Sequence, residues 1–185
     1  MLAIILLLLF GLVILYFYRK PNIVKIPINE PDLVVRAPCY GRVLSAKYEP
    51  KNNTFFIAIF LSPLDIHWQS NPIDGTVTDV VYDPSGKYEL AYDLNKSKNN
   101  EKAITTYKTI DGQHGLKLVQ IAGYFVRRIQ TFVKQGQGVK KGDLMGLIHF
   151  GSRVDLIIDQ GDRFVCEVKQ GDSVYGANTV LGRWV

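Results

Sequence analysis

The chain has 185 residues, enough for one domain with a substantial core. Its 22 basic and 17 acidic residues give a net charge of +5 without a long basic run. This balance is weak support for nucleic-acid binding and fits an anionic membrane surface at least as well. The two cysteines, Cys39 and Cys166, lie far apart and outside any Cys-x-x-Cys or Cys/His pattern, which argues against a disulfide framework and a metal site.

The N-terminal segment, residues 2–18, contains no charge and is dominated by Leu and Ile. At about 1.5 Å rise per residue, such a helix spans roughly 25 Å, the short end for a bilayer crossing. Arg19 and Lys20 follow directly, as expected at a headgroup interface. The pattern favours an uncleaved N-terminal transmembrane anchor over residues 1–20, with the remainder on the cytosolic side. A cleaved signal peptide and a buried core helix are the alternatives.

A linker with several prolines, residues 21–31, precedes a domain predicted over residues 32–185. This domain is predicted to be mainly β, because short runs rich in Val, Ile, Tyr and Phe alternate with Gly, Pro and Asn. The predicted strands are 33–35, 41–48, 54–61, 75–82, 88–92, 103–110 and 117–122, with further strands in the C-terminal part. Residues 124–134 are compatible with a strand or with a short helix.

Two internal similarities indicate a barrel-like or sandwich-like arrangement. Residues 38–43 and 72–77 both read Pro-x-x-Gly-x-Val, which is typical of a turn that leads into a strand. Residues 138–143 resemble residues 171–176, a glycine-containing turn before a β run. Such turns are found in the hybrid barrels of lipoyl and biotin carriers. The predicted fold is therefore a barrel-sandwich-hybrid-like β domain behind the N-terminal helix.

The pair Gly151-Ser152 interrupts an apolar, strand-like run over residues 146–155. Such a pair commonly marks a bulge or a bend at a sheet edge. Alternatively, glycine permits backbone angles that strain the peptide bond and bring the serine hydroxyl close to the preceding carbonyl. A chain that attacks itself needs that arrangement. The pair alone leaves both interpretations open.

The chain has three histidines. His67 follows a predicted buried strand, where a lone histidine is more often structural than catalytic. His149 lies nearer to Ser152, but on a regular strand the two side chains would point to opposite faces. His114 lies in an Asp-Gly-Gln-His-Gly turn and is expected to be solvated.

Four blocks, in one order along the chain, make the sequence resemble the phosphatidylserine decarboxylases in their compact form. They are Phe-Leu-Ser-Pro-Leu-Asp-x-His (60–67) with Pro-x-x-Gly (72–75), Asn-Glu-Lys (100–102), Gln-Ile-Ala-Gly (120–123) with Arg-Arg-Ile (127–129), and Phe-Gly-Ser-Arg (150–153). The Asn-Glu-Lys block resembles the family's Asn-Glu-Arg. The resemblance extends over about residues 37–158, and the hydrophobic N-terminal segment also fits the family.

The resemblance implies autocatalytic cleavage between Gly151 and Ser152. Attack of Ser152 on the Gly151 carbonyl, elimination and hydrolysis would leave a pyruvoyl group at residue 152 and two fragments, 1–151 and 152–185. The pyruvoyl group would bond to the amine of phosphatidylserine and accept the electron pair left as carbon dioxide departs, giving phosphatidylethanolamine. The implied protein is a membrane-bound carboxy-lyase with a phospholipid substrate, and a homo-oligomer is compatible with it.

The resemblance also suggests roles for particular side chains. His67 matches the family's active-site histidine and is expected to supply a proton to the carbanion, since an imidazole titrates in the appropriate range. Arg128 and Arg153 are candidates for binding the carboxylate and the phosphate of the substrate, because a guanidinium can form two hydrogen bonds with either group. The alternative for each arginine is a solvated position at a strand edge.

Two positions depart from the family's pattern. The family usually has Ala-Pro-x-Asp-Gly where this chain has Tyr40, and it often has Arg or a second His where this chain has Ser70. A phenol with a pKa of about 10 is a poor base at neutral pH, so the missing carboxylate bears on self-cleavage. Asp74, in the second Pro-x-x-Gly stretch, is a candidate substitute. The alternative function is that of an unprocessed, non-catalytic, membrane-tethered relative that binds phospholipid or a protein partner.

Overall fold

The structure, a computed structural model, describes residues 1–22, 24–87, 89–124, 128–149 and 152–185. Within them, helix α1 (Leu2–Phe17) is followed by fourteen strands and two 3-10 turns, Ser97–Asn99 and Gly161–Arg163. The strands are β1 Val34–Arg36, β2 Gly41–Glu49, β3 Thr54–Leu61, β4 Trp68–Ser70, β5 Gly75–Asp83, β6 Lys102–Thr109, β7 Gly115–Ile121, β8 Ile129–Thr131, β9 Gly138–Val139, β10 Leu144–Ile148, β11 Ser152–Asp159, β12 Phe164–Cys166, β13 Ser173–Val174 and β14 Val180–Trp184.

The prediction of a mainly β domain is confirmed. Eight strands form a sheet in the order β13-β2-β3-β11-β7-β6-β5-β9, which curls into a half-barrel. Two three-stranded sheets, β1-β14-β12 and β4-β10-β8, accompany it. Apolar side chains that alternate along the long strands form the core; β6, for example, alternates regularly between half-buried and buried positions.

The predicted strand over residues 88–92 is wrong for the part that the structure describes, since residues 89–93 are turn and irregular chain. The reason lies in Asn100, whose side-chain amide accepts a hydrogen bond from the Glu89 N–H (3.0 Å) and donates one to the Glu89 carbonyl (2.7 Å). One side chain thus replaces a partner strand. Of residues 124–134, the structure assigns 129–131 to a strand, and residues 125–127 lie outside its description.

The Pro-x-x-Gly-x-Val similarity corresponds to a structural repeat. The amide of Arg36 donates to the carbonyl of Pro72 (2.9 Å), and the amide of Ser70 donates to the carbonyl of Pro38 (2.8 Å). The two turns therefore hold each other reciprocally. We name β1, β2, β12, β13 and β14 the first half and β4, β5, β8, β9 and β10 the second half.

The similarity between residues 138–143 and 171–176 also corresponds to a structural repeat, but the residues that are equivalent in the structure differ from those aligned in the sequence. Gly41 pairs with Val174, and Gly75 pairs with Val139, so the two valines are counterparts. The alignment predicted from the glycine positions is therefore displaced by two residues. Gly75 is a glycine because a Cβ there would lie 2.0 Å from the carbonyl oxygen of Lys108 on the neighbouring strand.

The repeat extends to the end of each half. The amide of Trp184 donates to the carbonyl of Leu33, and the amide of Ile148 donates to the carbonyl of His67, both at 3.3 Å. Leu33 and His67 are thus counterparts. The same backbone connection positions an apolar side chain in one half and an imidazole in the other.

The N-terminal segment is a helix, as predicted, but no helix among the described residues is long and apolar enough to cross a membrane. The predicted transmembrane anchor over residues 1–20 is therefore not supported. The α1 helix has 16 residues and ends at Phe17, because Phe17 is buried and Tyr18 turns onto the domain. Most apolar side chains of α1 before Phe17 are exposed; Leu7, Leu12 and Leu15 expose 70%, 61% and 71% of their surface.

Candidate active site

Ser152 is the first residue of β11 and pairs with Leu61 at the end of β3. Its side chain is fully buried, and among the described residues its hydroxyl has no hydrogen-bond partner. An unbonded buried hydroxyl costs about 1–3 kcal/mol, and buried hydroxyls are normally bonded. This hydroxyl therefore fits a reactive group better than a structural one. Gly151, the other member of the predicted cleavage pair, lies outside the described residues.

The turn that carries His67 is built by Asp65. The Asp65 carboxylate accepts a hydrogen bond from the Ser62 amide (2.7 Å), and the Asp65 amide donates to the Ser62 carbonyl (2.9 Å). The Asp65 carbonyl lies 2.8 Å from Nδ1 of His67. Because a carbonyl oxygen only accepts, the proton of neutral His67 is on Nδ1 and the lone pair is on Nε2.

The environment of His67 keeps the imidazole neutral. Its side chain is fully buried, and the ring of Phe17 lies 4.3 Å from its own ring, centroid to centroid. Burial lowers the pKa of His67 from 6.5 to about 4, and the charges of Arg19 and His149 act in the same direction, against the opposing effect of Asp65. At neutral pH, His67 is therefore a proton acceptor.

His149 adjoins His67, whose pKa it affects, and the argument from strand alternation does not decide its orientation toward Ser152. β10 ends at Ile148, so the alternation does not continue to Ser152. The His149 side chain is buried, and its amide donates to the Arg128 carbonyl (3.1 Å). Its Nδ1 lies 2.6 Å from the hydroxyl of Tyr18. Burial, and secondly the charge of Arg128, lower the pKa of His149.

Arg153 does not present its guanidinium to a substrate. The side chain is 2% exposed, and its Nε and Nη2 donate to the Asp155 carboxylate at 2.8 and 3.0 Å. Its Nη1 donates to the Ala91 carbonyl and the Ser97 hydroxyl. Burial raises the pKa of Asp155 to about 6, although the charge of Arg153 opposes this. In this structure the arginine joins β11 to the 91–97 loop, which does not favour substrate binding, and the predicted binding role stays untested.

Arg128, the other predicted substrate-binding residue, has an exposed side chain. Its backbone adjoins the site, since its carbonyl accepts the hydrogen bond from the His149 amide. A role in substrate binding stays a prediction.

Asp74, the predicted substitute carboxylate, lies in a buried ionic cluster with Lys141, Glu30 and Arg36. Asp74 accepts a hydrogen bond from the Lys141 amide (2.9 Å), and Lys141 Nζ lies 2.9 Å from Glu30 and 3.7 Å from Asp74. Burial alone would raise the pKa of Glu30, but hydrogen bonds from Arg36 and Lys141 outweigh it, and the pKa is lowered. No contact among the described residues joins Asp74 to Ser152, and its role in maturation stays an untested prediction.

The two positions that depart from the family's pattern lie together. Tyr40 and Ser70 line one cavity of about 470 Å³, with Lys141 and Gly176 among its other walls. The Tyr40 ring covers Gly176, where a Cβ would approach the ring to 2.8 Å. His114, predicted to be solvated, is instead buried and stacks on Trp184 at 5.1 Å.

The sequence analysis missed Tyr18 and Asp155. Tyr18 and His149 are separated by 131 positions, and no local pattern relates them. Asp155 carries a weak signal, because a carboxylate in a buried β run two residues after an arginine indicates an ion pair.

Comparison with known proteins agrees with this geometry. A family model described as phosphatidylserine decarboxylase matches residues 12–182, which contain both histidines and Ser152. The matched family is one of decarboxylases, which are carboxy-lyases. The chain belongs to the phosphatidylserine decarboxylase family.

Individual relatives cover most of the chain. The phosphatidylserine decarboxylase proenzyme of Amoebophilus asiaticus is 39% identical over 180 residues, covering 95% of this chain and 77% of the relative. The proenzyme of Burkholderia multivorans is 33% identical over 172 residues, covering 91% of this chain and 77% of the relative. The proenzyme of Rhodococcus erythropolis is 36% identical over 178 residues, covering 90% of this chain and 71% of the relative.

Proposed function

We propose that this protein is a phosphatidylserine decarboxylase that cuts its own chain before Ser152 and then converts phosphatidylserine to phosphatidylethanolamine. The observation that carries the proposal is the fully buried Ser152 hydroxyl, which has no partner among the described residues. The chain's membership of the family adds independent support. A structural serine at this position would be expected to form a hydrogen bond.

In the proposed maturation, the Ser152 oxygen attacks the Gly151 carbonyl carbon, and the acyl group moves from nitrogen to oxygen. Neutral His67, with its lone pair on Nε2, is suited to accept the hydroxyl proton. Elimination then breaks the ester, giving a carboxylate at residue 151 and a dehydroalanine at residue 152. Addition of water and loss of ammonia convert that dehydroalanine to a pyruvoyl group.

A pyruvoyl carbonyl supplies an electrophile for the amine of the serine headgroup and an acceptor for the electron pair that carbon dioxide leaves behind. The buried start of β11 fits such a group, because the Ser152 hydroxyl that it would replace has no hydrogen-bond partner among the described residues. His67 would hold a proton for the carbon that loses the carboxylate. The negative charge of a bound headgroup favours the protonated imidazole, which prepares His67 to donate.

We also propose that α1 binds the lipid surface and so brings the site to its substrate. Most of its apolar side chains before Phe17 are exposed, and the exposed Leu64 adjoins its C-terminal half in one apolar groove. Arg19 and Lys20 follow at the end of the helix, where anionic headgroups would lie. A cytosolic position for the domain and a homo-oligomeric state stay predictions.

A denaturing gel of the purified full-length chain tests the proposal. The expected result is two fragments, residues 1–151 and 152–185, in the wild type and one uncut polypeptide in Ser152→Ala. Mass spectrometry of the smaller fragment should show a ketone in place of the serine amine, and phenylhydrazine should label that fragment. Vesicles that contain phosphatidylserine should release carbon dioxide only with the cut protein.

One outcome would favour the alternative function. If the wild type stays uncut, residue 152 is still serine and vesicles with phosphatidylserine bind without releasing carbon dioxide, the protein is a non-catalytic binder. Tyr40 and Ser70, which replace a carboxylate and a basic residue of the family's pattern, are the observations that make this outcome worth testing.

A further inference from the structure

The C-terminal end of α1 lies against both histidines of the site. Phe17 packs on His67 with a ring-centroid distance of 4.3 Å, and the hydroxyl of the next residue, Tyr18, lies 2.6 Å from Nδ1 of His149. The Tyr18 carbonyl accepts a hydrogen bond from the indole of Trp68 (3.2 Å). The backbone of Tyr18 is therefore held by the domain, and its hydroxyl is directed to a defined atom.

This contact determines which nitrogen of His149 carries the proton. A neutral imidazole has one N–H donor and one acceptor nitrogen. A phenol is the stronger acid of the two groups, so the hydroxyl donates and Nδ1 accepts. Burial and the Arg128 charge both favour the neutral form of His149. The proton of His149 is then on Nε2.

The Nε2 atom is a donor without a protein acceptor. It is buried, and among the described residues it has no hydrogen-bond partner. The hydroxyl of Ser152, a few residues later in the chain, is also buried and without a hydrogen-bond partner among the described residues. Two buried polar atoms without partners, so close in sequence, indicate a place where a ligand completes the hydrogen bonds.

We propose that Tyr18 is a positioning residue that holds His149 with its proton on Nε2, and that His149 donates this N–H to an anionic oxygen of the phospholipid headgroup. The inference rests on the proposed function, since it assigns a headgroup contact to the same site. The two histidines then have opposite tautomers: His67 accepts a proton through Nε2, and His149 donates a hydrogen bond through Nε2. The anionic oxygen belongs to the carboxylate or to the phosphate.

The groups that face His149 from each neighbouring element are Tyr18 after α1, His67 before β4 and Arg128 before β8. The only permanent charge among them is that of Arg128, a cation. Because a nearby cation disfavours a second positive charge, the Nε2 donor persists through neutral pH without protonation of Nδ1.

Nitrogen NMR of the histidine rings tests the tautomer without any processed enzyme. The sample is the full-length Ser152→Ala protein, labelled with ¹⁵N-histidine, in nanodiscs of phosphatidylcholine. With only three histidines in the chain, His114→Gln and His67→Gln variants assign the signals. The expected result is His149 protonated on Nε2, with a mixture of tautomers in Tyr18→Phe. Tyr48→Phe, at an exposed tyrosine on β2, is the control that should change nothing.

A comparison of two lipids then shows whether the carboxylate or the phosphate accepts the hydrogen bond from His149. Nanodiscs that contain phosphatidylserine should shift the His149 Nε2 signal. If phosphatidylethanolamine, which has the phosphate and lacks the carboxylate, gives the same shift, the acceptor is the phosphate; if it gives none, the acceptor is the carboxylate. A signal that neither lipid moves would overturn the headgroup contact.

Kinetics of the cut protein supply the second test. Loss of the hydrogen bond in His149→Leu should lower kcat/KM by about 10- to 100-fold, as for a hydrogen bond to a charged group. His149→Gln retains an N–H donor at the same distance along the side chain and should recover most of this loss. Tyr18→Phe should lower kcat/KM in the wild-type background and have no further effect in His149→Gln.

The two proposals fail in different ways. If the wild type is neither cut nor active, the proposed function is wrong, whereas the NMR experiment still decides the tautomer. If the wild type decarboxylates phosphatidylserine but Tyr18→Phe has the tautomer and the kcat/KM of the wild type, the positioning role is wrong and the enzyme assignment stands.

Discussion

The two halves of the repeat share a backbone frame, yet they differ in the residues at the end of the last strand of each half. Among the described residues, His149 Nε2 and the Ser152 hydroxyl, both buried and without a hydrogen-bond partner, follow the second half. In the first half, β14 ends at Trp184, whose indole donates to the Asp159 carbonyl (2.8 Å). In the second half, the counterpart strand β10 is followed by His149 and then by Ser152. Leu33 in the first half corresponds to His67 in the second.

This difference separates the residues that hold the fold from those that act. The reciprocal hydrogen bonds between the two turns and the paired strands recur in both halves, so they belong to the frame. Among the described residues, the buried imidazoles of His67 and His149 and the Ser152 hydroxyl have no counterpart in the first half. The candidate catalytic groups of this protein therefore lie where the second half differs from the first.

The largest expected effect is that of Ser152→Ala, which removes the only nucleophilic atom of the proposed cleavage. We expect no fragments on a denaturing gel and no carbon dioxide release. Ser173→Ala, at an exposed position on β13 in the first half, is the matched control and should be cut like the wild type. Normal cleavage of Ser152→Ala would mean that another bond is broken.

The second prediction makes the second half resemble the first at one position. His67→Leu places the Leu33 side chain at its counterpart and should lower the rate of decarboxylation by about 10²- to 10⁴-fold, the usual contribution of an acid–base group. The rate is measured per cut molecule, so that slow maturation does not enter. His114→Gln is the control histidine. A rate within threefold of the wild type, about 0.6 kcal/mol, would remove His67 from the mechanism.

The third prediction concerns stability and pH. The pKa of His67 is lowered in the folded state to about 4, so its contribution to stability is complete above the unfolded value of 6.5 and is lost as the pH falls toward 4. Between about pH 8 and about pH 5 the loss is about 2 kcal/mol. Denaturant unfolding of Ser152→Ala should show this loss relative to Ser152→Ala/His67→Leu.

The paired comparison is needed because Asp155 acts in the opposite direction. Its pKa is raised to about 6, so the destabilisation from its buried charge is relieved as the pH falls through that value. Asp155 is present in both proteins, and its effect cancels in the difference. An equal pH dependence in the two proteins would show that His67 is not held neutral.

The smallest effect is expected for Asp74→Asn, which tests the other difference between the halves, Tyr40 against Asp74. The asparagine oxygen can still accept the Lys141 N–H, and only the partly exposed ion pair is lost. Unfolding should become easier by about 0.5–1 kcal/mol, and an unchanged rate of cleavage would contradict the predicted role of Asp74 in maturation. Slower cleavage, beyond the small loss of stability, would support the predicted role of Asp74 in maturation.

Strand periodicity accounts for what the sequence could predict of the fold. β3 was predictable to the residue, because eight residues of apolar and β-branched character carry a clear signal. β4, β9 and β13 have only two or three residues and no period, so they are strands through the neighbours they pair with. The 88–92 run has strand composition, but the side chain of Asn100 takes the place of a second strand.

The site was predictable where it is local and unpredictable where it depends on distant contacts. The pattern around His67 and the Gly-Ser pair identified two of its members. His149 was judged on an alternation that stops at Ile148. Tyr18 reaches His149 only because α1 ends where it does, and the intramolecular pairing of Arg153 is a property of the folded 91–97 loop.

The place of β11 in the sheet has a consequence for the product of self-cleavage. β11 lies between β3 and β7, and the later strands β13 and β14 pair with β2 and β1. After cleavage before Ser152, the strands of the C-terminal fragment would stay paired with strands of the larger fragment. The newly made chain end would be an interior end, fixed on both sides by strand pairing. Chain termini are ordinarily the most mobile parts of a protein, and here one would be as rigid as the core.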